Sequence, residues 1–179
     1  EKCPFCRLSR RVEIICETAT CVAFYDGYPV SPGHALIIPK RHVASYFDLT
    51  NHEREAMNVV LKYVKQKVDE RFHPDGYNVG INIGEAAGQS VFHCHMHVIP
   101  RYKGDVPNPK GGVRGVIPSK QSYSTKKQPE KSLTSTKIPT SPISEVTPSN
   151  RREILRQEGD EERYKMEYSN LSEIWQRKK

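Results

Sequence analysis

Three histidines alternate with apolar residues near the middle of the chain, at His93, His95 and His97. Alternate residues of a β-strand point to the same face and lie about 6.6 Å apart, twice the rise per residue. The pattern therefore predicts a strand over Val91–Ile99 that carries three imidazoles on one face. The intervening apolar residues, which we expect to face the core, are Cys94, Met96 and Val98. Core or surface histidines, a metal-binding array and a catalytic face are all open at this point.

The other elements are predicted from the spacing of apolar residues and from turn signals. Thr50 and Glu53 form the pattern of a capping box. Apolar residues at helical spacing follow to about Arg71, so one amphipathic helix is expected there. The further predicted strands are Val12–Glu17, Thr20–Asp26, His34–Pro39 and Asn78–Ile83. Several strands with a single long helix between them indicate an α+β domain built on an antiparallel sheet.

Composition divides the chain into three parts. Residues 1–118 contain all the predicted strands and the main helix, and they form the candidate globular domain. Between residues 119 and 150 more than half of the residues are Ser, Thr or Pro, so this low-complexity stretch is predicted to be a disordered linker. Residues 151–179 are charged and favour helix. They are predicted to be either a docking helix that binds another protein or a fragment of a further domain.

Net charge and cysteine content narrow the class of partner and the compartment. The net charge is +7, but the basic excess is spread along the chain rather than gathered into one run. Nucleic acid is therefore not the expected partner, and a phosphate-bearing small ligand fits equally well. No window approaches the run of about 20 apolar residues that crosses a bilayer, so no membrane partner is expected. Five irregularly spaced cysteines favour a reducing, cytoplasmic location.

The residues around the histidines are suited to phosphate chemistry. A neutral imidazole can attack phosphorus when its other nitrogen is held as a donor, typically by a backbone carbonyl. A second imidazole, when protonated, can donate to the phosphate or to the leaving group. Gly88, Gln89 and Ser90 precede the predicted strand and add a glycine that permits close approach, an amide and a hydroxyl. These residue types together predict a phosphate site.

The segment His93-Cys-His-Met-His-Val-Ile99 resembles the signature of the histidine triad family, in which three histidines alternate with apolar residues. The similarity extends over residues 20–101 and includes Ala23-Phe-Tyr-Asp26, Pro32-Gly-His-Ala-Leu-Ile-Ile-Pro39, Asn82 and Gly88-Gln-Ser90. It implies the triad fold, an antiparallel sheet with one main helix. Members that transfer nucleotides to phosphate or sugar phosphate typically carry Gln at the third triad position. His97 is therefore typical of the hydrolase branch.

The resemblance also implies roles for individual residues. His95 would be the nucleophile that forms a covalent nucleotidyl intermediate. His97 would contact the phosphate and assist proton transfer, with His34 beside the site. Asp26 would accept hydrogen bonds from the ribose hydroxyls, because an ionised carboxylate is an acceptor-only group. The residues that would complete the nucleotide site are Phe24 and Tyr25 at the base and sugar, and Asn82, Gln89 and Ser90 at the phosphate and leaving group.

The segment Cys3-Pro-Phe-Cys6 resembles the cysteine pair of zinc-bearing members, in which two histidines complete the site. The matching histidines here are His42 and His93. Two thiolates and two imidazoles satisfy the closed tetrahedral geometry of a structural zinc. Such an ion would tie the N-terminal arm to the sheet and leave the other two triad histidines for catalysis. A free cysteine pair is the alternative.

Substrates of the hydrolase branch include dinucleoside polyphosphates and nucleoside phosphoramidates. Four cations after the triad favour the former, because a loop folded over the site would bring them to the distal phosphates. They are Arg101, Lys103, Lys110 and Arg114.

The expected reaction is therefore hydrolysis of a dinucleoside polyphosphate, such as diadenosine tetraphosphate, with release of a nucleoside monophosphate. Whether a divalent cation accompanies that substrate is left open by the sequence. Phosphoramidate hydrolysis, a nucleotide-binding scaffold with incidental catalysis, and repair of adenylylated nucleic-acid ends are the alternatives. The resemblance also implies a homodimer whose two sheets continue across the two-fold axis.

Overall fold

The computed structural model describes residues 3–123, which form a five-stranded antiparallel sheet and one long helix. In chain order the elements are β1 (Ile14–Glu17), β2 (Cys21–Tyr25), β3 (Ala35–Pro39), α1 (Asn51–Phe72), β4 (Gly76–Ile81) and β5 (Met96–Arg101). The predicted α+β class and the single main helix are confirmed. The described part continues past the predicted domain boundary at Pro118 to Tyr123. The rest of the predicted linker and residues 151–179 lie outside the described residues.

The strands lie in the order β1-β2-β3-β5-β4, and every neighbouring pair is antiparallel. Phe24 of β2 lies opposite Leu36 of β3, and Leu36 lies opposite His97 of β5. Directly opposed residues have neighbouring side chains on one face of a sheet. His97 in turn lies opposite Gly80 of β4. This line of opposed residues across the sheet therefore ends at a glycine, and its missing side chain leaves space beside the imidazole of His97.

Helix α1 covers the opposite face of the sheet. It begins with the predicted capping box, in which the Glu53 N–H donates to Thr50 Oγ1 at 3.2 Å and the Thr50 N–H donates to Glu53 Oε2 at 2.8 Å. Its buried apolar residues are Ala56, Met57, Val60, Val64 and Val68. This stripe packs on the sheet, since Cys21 Sγ lies 3.8 Å from the Glu53 carbonyl and the rings of Tyr25 and Phe72 are 5.6 Å apart. Within residues 3–123, no helix is both long enough and apolar enough to cross a membrane.

The N-terminal arm, residues 3–13, lies on the face of the sheet that carries His97. Buried residues of β2 and β3 form a core cluster there, consisting of Val22, Phe24, Leu36 and Ile38. Phe5, Leu8 and Val12 of the arm pack against this core cluster. The arm therefore covers the part of this face formed by β2 and β3, and α1 covers the opposite face of the sheet.

Strand β5 begins at Met96, so the prediction that all three histidines belong to one strand is wrong. Pairing between β3 and β5 also starts at Met96. Before that residue, the Cys94 N–H donates to Val43 O at 2.6 Å, and Nε2 of His93 lies 2.8 Å from Pro39 O. These contacts with the end of β3 and the loop after it replace the strand ladder. The apolar residues expected in the core are nevertheless buried, namely Cys94, Met96 and Val98.

Candidate functional site

His95 lies immediately before β5 and is 5% exposed. Its Nδ1 is 2.8 Å from the backbone carbonyl oxygen of His93. A carbonyl oxygen can only accept a hydrogen bond, so Nδ1 of His95 carries the proton and Nε2 holds the lone pair. This contact fixes the tautomer that a nucleophilic imidazole requires.

His97 is held by His34, the residue that precedes β3. Nε2 of His34 is 3.0 Å from Nδ1 of His97. The Val30 N–H donates to Nδ1 of His34 at 3.3 Å, so His34 carries its proton on Nε2 and donates it to His97. His97 consequently carries its own proton on Nε2, where it can be donated to a ligand.

Burial keeps both of these histidines neutral near pH 7. Desolvation, with smaller contributions from His95 and His34, lowers the pKa of His97 to about 4. Desolvation also lowers the pKa of His34, although the charge of Asp26 opposes that shift. A protonated second imidazole, which the sequence suggested as the donor, is therefore disfavoured at neutral pH. The Nε2–H of a neutral His97 can still donate a hydrogen bond to a ligand.

Asp26 follows β2 and lies beside His34. The Tyr28 N–H donates to its Oδ1 at 2.9 Å, and its Oδ2 is 3.4 Å from Nδ1 of His34. Asp26, His34 and His97 bring one ligand atom each within 4.8 Å of one another, so they form one compact group. The carboxylate keeps acceptor capacity, because its two oxygens offer about four lone-pair sites. It can therefore accept from the hydroxyls of a ligand that lies beside His34.

Two clefts adjoin these side chains. The first cleft, of about 340 Å³, is lined by His97, Asn82 and the short 3-10 helix Gly112–Val116. The second cleft, of about 540 Å³, is lined by Asp26 and by the residues that lead into β3. His34 lines both clefts. A ligand with two parts can therefore reach the same imidazole from either side.

The two aromatic residues predicted beside the base and sugar lie on different faces of the sheet. Phe24 is 3% exposed and belongs to the core cluster under the arm. Tyr25 contacts the ring of Phe72 on the helix face and lines the second cleft. Ser90 is exposed in the loop before the triad, and Asn82 is half-buried in the first cleft. The structure therefore brings Asn82 together with His97 and keeps Phe24 in the core.

Gln89 braces the loop before the triad. The Gly84 N–H donates to its Oε1 at 2.8 Å, and its Nε2 donates to Ala44 O at 2.8 Å and to Val91 O at 3.2 Å. Both amide hydrogens are therefore used by backbone carbonyls, and the side chain is 4% exposed. The expectation that this amide donates to a phosphate does not fit these contacts. Gln89 instead fixes the loop that carries Ser90.

The segment after β5 lines the site with apolar side chains rather than with cations. Val113 and Val116 line the first cleft. Arg101 donates to both carboxylate oxygens of Asp105, at 2.6 and 2.8 Å. The other three cations are engaged elsewhere, Lys103 with Asp75, and Lys110 and Arg114 with the ring of Tyr123. None of the four cations lines either cleft, and their contact with distal phosphates stays a prediction.

Cys3, Cys6, His42 and His93 bring four ligand atoms within 4.8 Å of one another. Nδ1 of His42 and Nδ1 of His93 are 3.3 Å apart. Cys6 Sγ is 3.3 Å from Nδ1 of His42 and 3.6 Å from Nδ1 of His93. Cys3 Sγ is 3.5 Å from Nδ1 of His93. A tetrahedral ion with bonds of about 2.0 Å to nitrogen and about 2.3 Å to sulfur has N···N edges of about 3.3 Å and N···S edges of about 3.5 Å. This Cys/His cluster therefore has the spacing to hold a tetrahedral metal ion.

The other ring nitrogen of His93 prepares it to be a ligand. Nε2 is 2.8 Å from Pro39 O, which can only accept, so Nε2 carries the proton and Nδ1 presents its lone pair to the Cys/His cluster. The residue is fully buried. His93 thus contributes its side chain to the Cys/His cluster and its carbonyl to His95.

Two residues of the site carried no sequence prediction. The ring centroid of Phe5 lies 5.2 Å from that of His95. Val30 supplies the N–H that sets the tautomer of His34. The position of Phe5 between two cysteines is visible in the sequence and could have marked it. The contribution of Val30 comes from its backbone, so no side-chain pattern could have shown it.

Comparison with known proteins agrees with this arrangement. The family model described as the HIT domain matches residues 9–104. That range is more than half of the chain and contains all five strands, α1 and the three triad histidines, and the chain belongs to the HIT family. Cys3 and Cys6 lie before the matched range.

Several named relatives are nucleotide hydrolases. Bis(5'-adenosyl)-triphosphatase of Dictyostelium discoideum is 40% identical over 101 residues, which are 56% of this chain and 68% of that protein. Adenosine 5'-monophosphoramidase hnt1 of Schizosaccharomyces pombe is 40% identical over 115 residues, 62% of this chain and 79% of that protein. The chain spans 60% and 62% of the lengths of two HIT-like relatives, from Mycoplasma pneumoniae and Mycoplasma genitalium.

Solved structures of the same family resemble the fold. A HIT family protein from Bacillus anthracis superposes with a TM-score of 0.56 at 26% identity, covering 90% of this chain and 97% of that chain. A Zn-bound histidine triad family protein from Mycobacterium smegmatis superposes with a TM-score of 0.54 at 31% identity, covering 66% and 92%.

Proposed function

We propose that the chain hydrolyses a nucleotide at its α-phosphate in two steps. In the first step, Nε2 of His95 attacks the α-phosphorus, and the bond from phosphorus to the leaving group breaks with the electron pair going to the leaving group. In the second step, water attacks the same phosphorus, the P–N bond breaks with its electron pair returning to Nε2 of His95, and the proton lost by the water passes to solvent. The products are a nucleoside monophosphate and the leaving group released in the first step, and His95 is regenerated.

The hydrogen bond from His95 to the His93 carbonyl carries this proposal. It leaves Nε2 of His95 with the lone pair that attacks. As the P–N bond forms, the imidazole gains positive charge, and a hydrogen bond from a charged donor is stronger than one from a neutral donor. The His93 carbonyl therefore stabilises the intermediate more than the resting state, which is the differential stabilisation that catalysis requires.

His97 is the donor to the phosphate, and His34 is the residue that orients it. The ring centroids of His95 and His97 are 5.0 Å apart, so a phosphorus bound to His95 would lie beside the Nε2–H of His97. The 3.0 Å hydrogen bond from His34 fixes the ring orientation and the tautomer of His97. Donation to a non-bridging oxygen lowers the energy of the transition state as charge develops there.

The neutral state of His97 favours a dinucleoside polyphosphate over a phosphoramidate. A polyphosphate leaves as a stable anion and needs only a hydrogen bond, whereas an amine leaving group needs a full proton. His97, with its pKa lowered to about 4, supplies the hydrogen bond readily and the proton poorly. Because none of the cations after the triad lines either cleft, a divalent cation bound to the polyphosphate would neutralise the distal charge. Phosphoramidate hydrolysis is the second candidate, supported by the phosphoramidase relative.

The nucleoside would occupy the side of the site that Asp26 faces. Its carboxylate would accept from the ribose hydroxyls, and Tyr25 would line the same second cleft. Asn82 and Ser90 would donate to the phosphate and leaving group, which is supported by the place of Asn82 in the first cleft and by the exposure of Ser90. Phe24 would support the site from the core.

The ion of the Cys/His cluster is proposed to be zinc in a structural role. Its donor set of two thiolates and two imidazoles is one that Zn²⁺ prefers, and the spacing of the four atoms fits a closed tetrahedron. A closed site leaves no position for substrate, so the ion would supply cross-linking and no step of the reaction. The Zn-bound relative from Mycobacterium smegmatis supports this choice of metal.

A second copy of the chain is the proposed partner. Strand β4 ends the sheet order, so one of its edges faces no other strand among residues 3–123. An open edge offers backbone groups for pairing with another strand. None of the five cysteines, all within residues 3–123, forms a disulfide, which supports the proposed cytoplasmic location. Binding of another protein by residues 151–179 is still a prediction.

The proposed function is tested by release of nucleoside monophosphate. The chain is incubated with diadenosine tetraphosphate and, separately, with adenosine phosphoramidate, and AMP is followed by chromatography. We expect release from the wild type, loss by a factor of about 10³ or more in His95→Ala, and unchanged release in His52→Ala. His52 is the matched control because it lies in the first turn of α1, on the other face of the sheet.

The ratio of the two rates identifies the substrate class. Faster release from diadenosine tetraphosphate supports the primary proposal, and faster release from the phosphoramidate supports the second candidate. Equal release by wild type and His95→Ala would contradict the mechanism. Tight binding of AMP without release from either compound would favour the nucleotide-binding scaffold.

A further inference from the structure

Phe5 lies between the two cysteines of the Cys/His cluster and against two of the triad histidines. Its ring centroid is 5.2 Å from that of His95, with an interplanar angle of 72°, and 6.0 Å from that of His93. These are ordinary separations for T-shaped ring pairs. The same side chain is thus next to the Cys/His cluster along the chain and in contact with the proposed nucleophile in space.

Near Phe5 the arm contacts the sheet through its side chains, whereas at the far end of the arm the Tyr25 N–H donates to Glu13 O at 3.0 Å. The backbone N–H groups of Cys6 and Val12 donate to other residues of the arm, at 3.2 and 3.0 Å. Phe5 packs edge-on near Phe24 in the core cluster, with ring centroids 5.9 Å apart. An ion that joins Cys3 and Cys6 to the two histidines would therefore hold this arm, and with it the ring of Phe5, in place.

The carbonyl of His93 is held without help from the metal. The Cys94 N–H donates to Val43 O, and Nε2 of His93 donates to Pro39 O. One hydrogen bond still leaves the ring of His95 free to rock about its χ2 torsion, since χ2 of histidine has broad minima. Packing against a second ring restricts that motion. The contact with Phe5 is the restraint on His95 that depends on the arm.

We propose that Phe5 is a positioning residue that transmits occupancy of the Cys/His cluster to the orientation of His95. This inference rests on the proposed function of His95 as nucleophile. If it is correct, the metal ion affects kcat, which an ion that only stabilises the fold would not do. Loss of the ring or loss of the metal should lower kcat by about tenfold and leave KM within about twofold, because the ground-state contacts of the substrate are unchanged.

The test compares the zinc-loaded full chain with three variants, and with the zinc-free forms of the wild type and of Phe5→Leu. Phe5→Leu removes the ring and keeps an apolar side chain, and Phe5→Tyr keeps the ring. Leu8→Ala is the matched control, because Leu8 belongs to the same arm and packs on the same core cluster. We expect kcat for AMP release to fall in Phe5→Leu, to be restored in Phe5→Tyr and to stay near the wild-type value in Leu8→Ala. Zinc removal should lower kcat in the wild type, and it should cause little further loss of kcat in Phe5→Leu.

A second readout does not depend on turnover. The Nδ1–H of His95 is followed in ¹⁵N-edited NMR spectra of histidine-labelled protein and is identified by its loss in His95→Ala. We expect this signal to shift or broaden in Phe5→Leu and after zinc removal, and to match the wild type in Leu8→Ala. An unchanged signal in Phe5→Leu would overturn the proposal.

The two readouts separate failure of this inference from failure of the proposed function. A rise in KM with unchanged kcat in Phe5→Leu would make Phe5 a wall of the substrate pocket and overturn the positioning role. Equal losses of kcat in Phe5→Leu and Leu8→Ala would reduce it to a stability effect and also overturn it. If the wild type releases no AMP, the proposed function fails, and the His95 signal still decides whether Phe5 positions that ring.

Discussion

His95 donates a hydrogen bond of 2.8 Å from Nδ1 to the backbone carbonyl of His93. The side chain of His93 points its own Nδ1 at Cys3 Sγ, 3.5 Å away, and at Cys6 Sγ, 3.6 Å away. One residue therefore serves the triad with its main chain and the Cys/His cluster with its side chain. His93 therefore links the proposed nucleophile, His95, directly to the proposed metal ion.

His34 is expected to act on His97 through one hydrogen bond. His34→Ala removes the donor to Nδ1 of His97 and frees the ring to change tautomer, so kcat should fall by about tenfold or more. His34→Gln places an N–H donor at nearly the position of the imidazole Nε2 and should recover part of that loss. Steady-state kinetics of the two variants checks this prediction. Equal activity in the alanine and glutamine variants would show that the hydrogen bond does not matter.

Stability is expected to fall in mild acid because His97 is held half-buried as a neutral imidazole. Its pKa is lowered to about 4 by burial and by His95 and His34, with Asp26 opposing, whereas in the unfolded chain it is about 6.5. Between these values the unfolded state binds more protons, so this contribution is fully present above about pH 6.5 and is lost as the pH falls towards 4. It amounts to about 2 kcal/mol after allowance for solvent screening.

This pH dependence is measured by urea unfolding between pH 7 and pH 4. His97→Asn should be less sensitive to pH than the wild type over that interval. Comparing the two proteins at each pH removes the effect of metal release, which both share. Parallel curves for the two proteins would contradict the prediction.

Zinc is expected to stabilise the domain through the Cys/His cluster. Metal binding to the folded state stabilises it by several kcal/mol, so a strong chelator should lower Tm by about 10 °C. Cys3→Ala removes one ligand and should abolish that chelator-induced shift. Cys16→Ala is the matched control, since Cys16 is a buried cysteine of β1 outside the cluster and should keep both the shift and one bound zinc. Differential scanning fluorimetry and metal analysis test both variants, and a chelator that leaves Tm unchanged would argue against structural zinc.

Gly33 is expected to be intolerant of a side chain. Its φ is +83°, and a Cβ there would lie 2.8 Å from the ring of Phe72. Gly33→Ala should therefore destabilise the fold by about 2 kcal/mol. Gly27→Ala is the control, because a Cβ at Gly27 meets nothing within 4 Å, and it should change stability by less than about 0.5 kcal/mol. Urea unfolding measures both, and similar values for the two variants would contradict this reading of Gly33.

Local patterns in the sequence predicted most of the fold. The capping box of Thr50 and Glu53 fixes where α1 begins, and it is seen in the structure. The start of β5 could not be found in the same way, because alternation of apolar residues continues through Cys94 and Met96 while the strand ladder does not. Val43, which is distant in sequence, accepts the hydrogen bond of the Cys94 N–H through its carbonyl. This contact determines where the hydrogen-bonded ladder of β5 begins.

The candidate site was predictable at positions where the side-chain type alone indicates its chemical role. The imidazoles and thiols of the triad and the Cys/His cluster are such residues. Gln89 was expected to contact phosphate because its amide is suited to that role, but its partners are backbone groups that no side-chain pattern shows. Arg101 was expected to be available to a ligand, and its pairing with Asp105 depends on how the chain turns after β5.

The role of His95 as nucleophile is tested most simply by trapping the covalent intermediate on its side chain. The wild-type chain is mixed with diadenosine tetraphosphate, quenched within the first turnover under conditions that preserve a P–N bond, digested and analysed by mass spectrometry. We expect that the peptide containing His95 gains the mass of an adenylyl group, that fragmentation assigns the group to His95, and that His95→Ala acquires none. Turnover with the adenylyl group absent from His95, or attached to another residue, would contradict the proposed two-step mechanism.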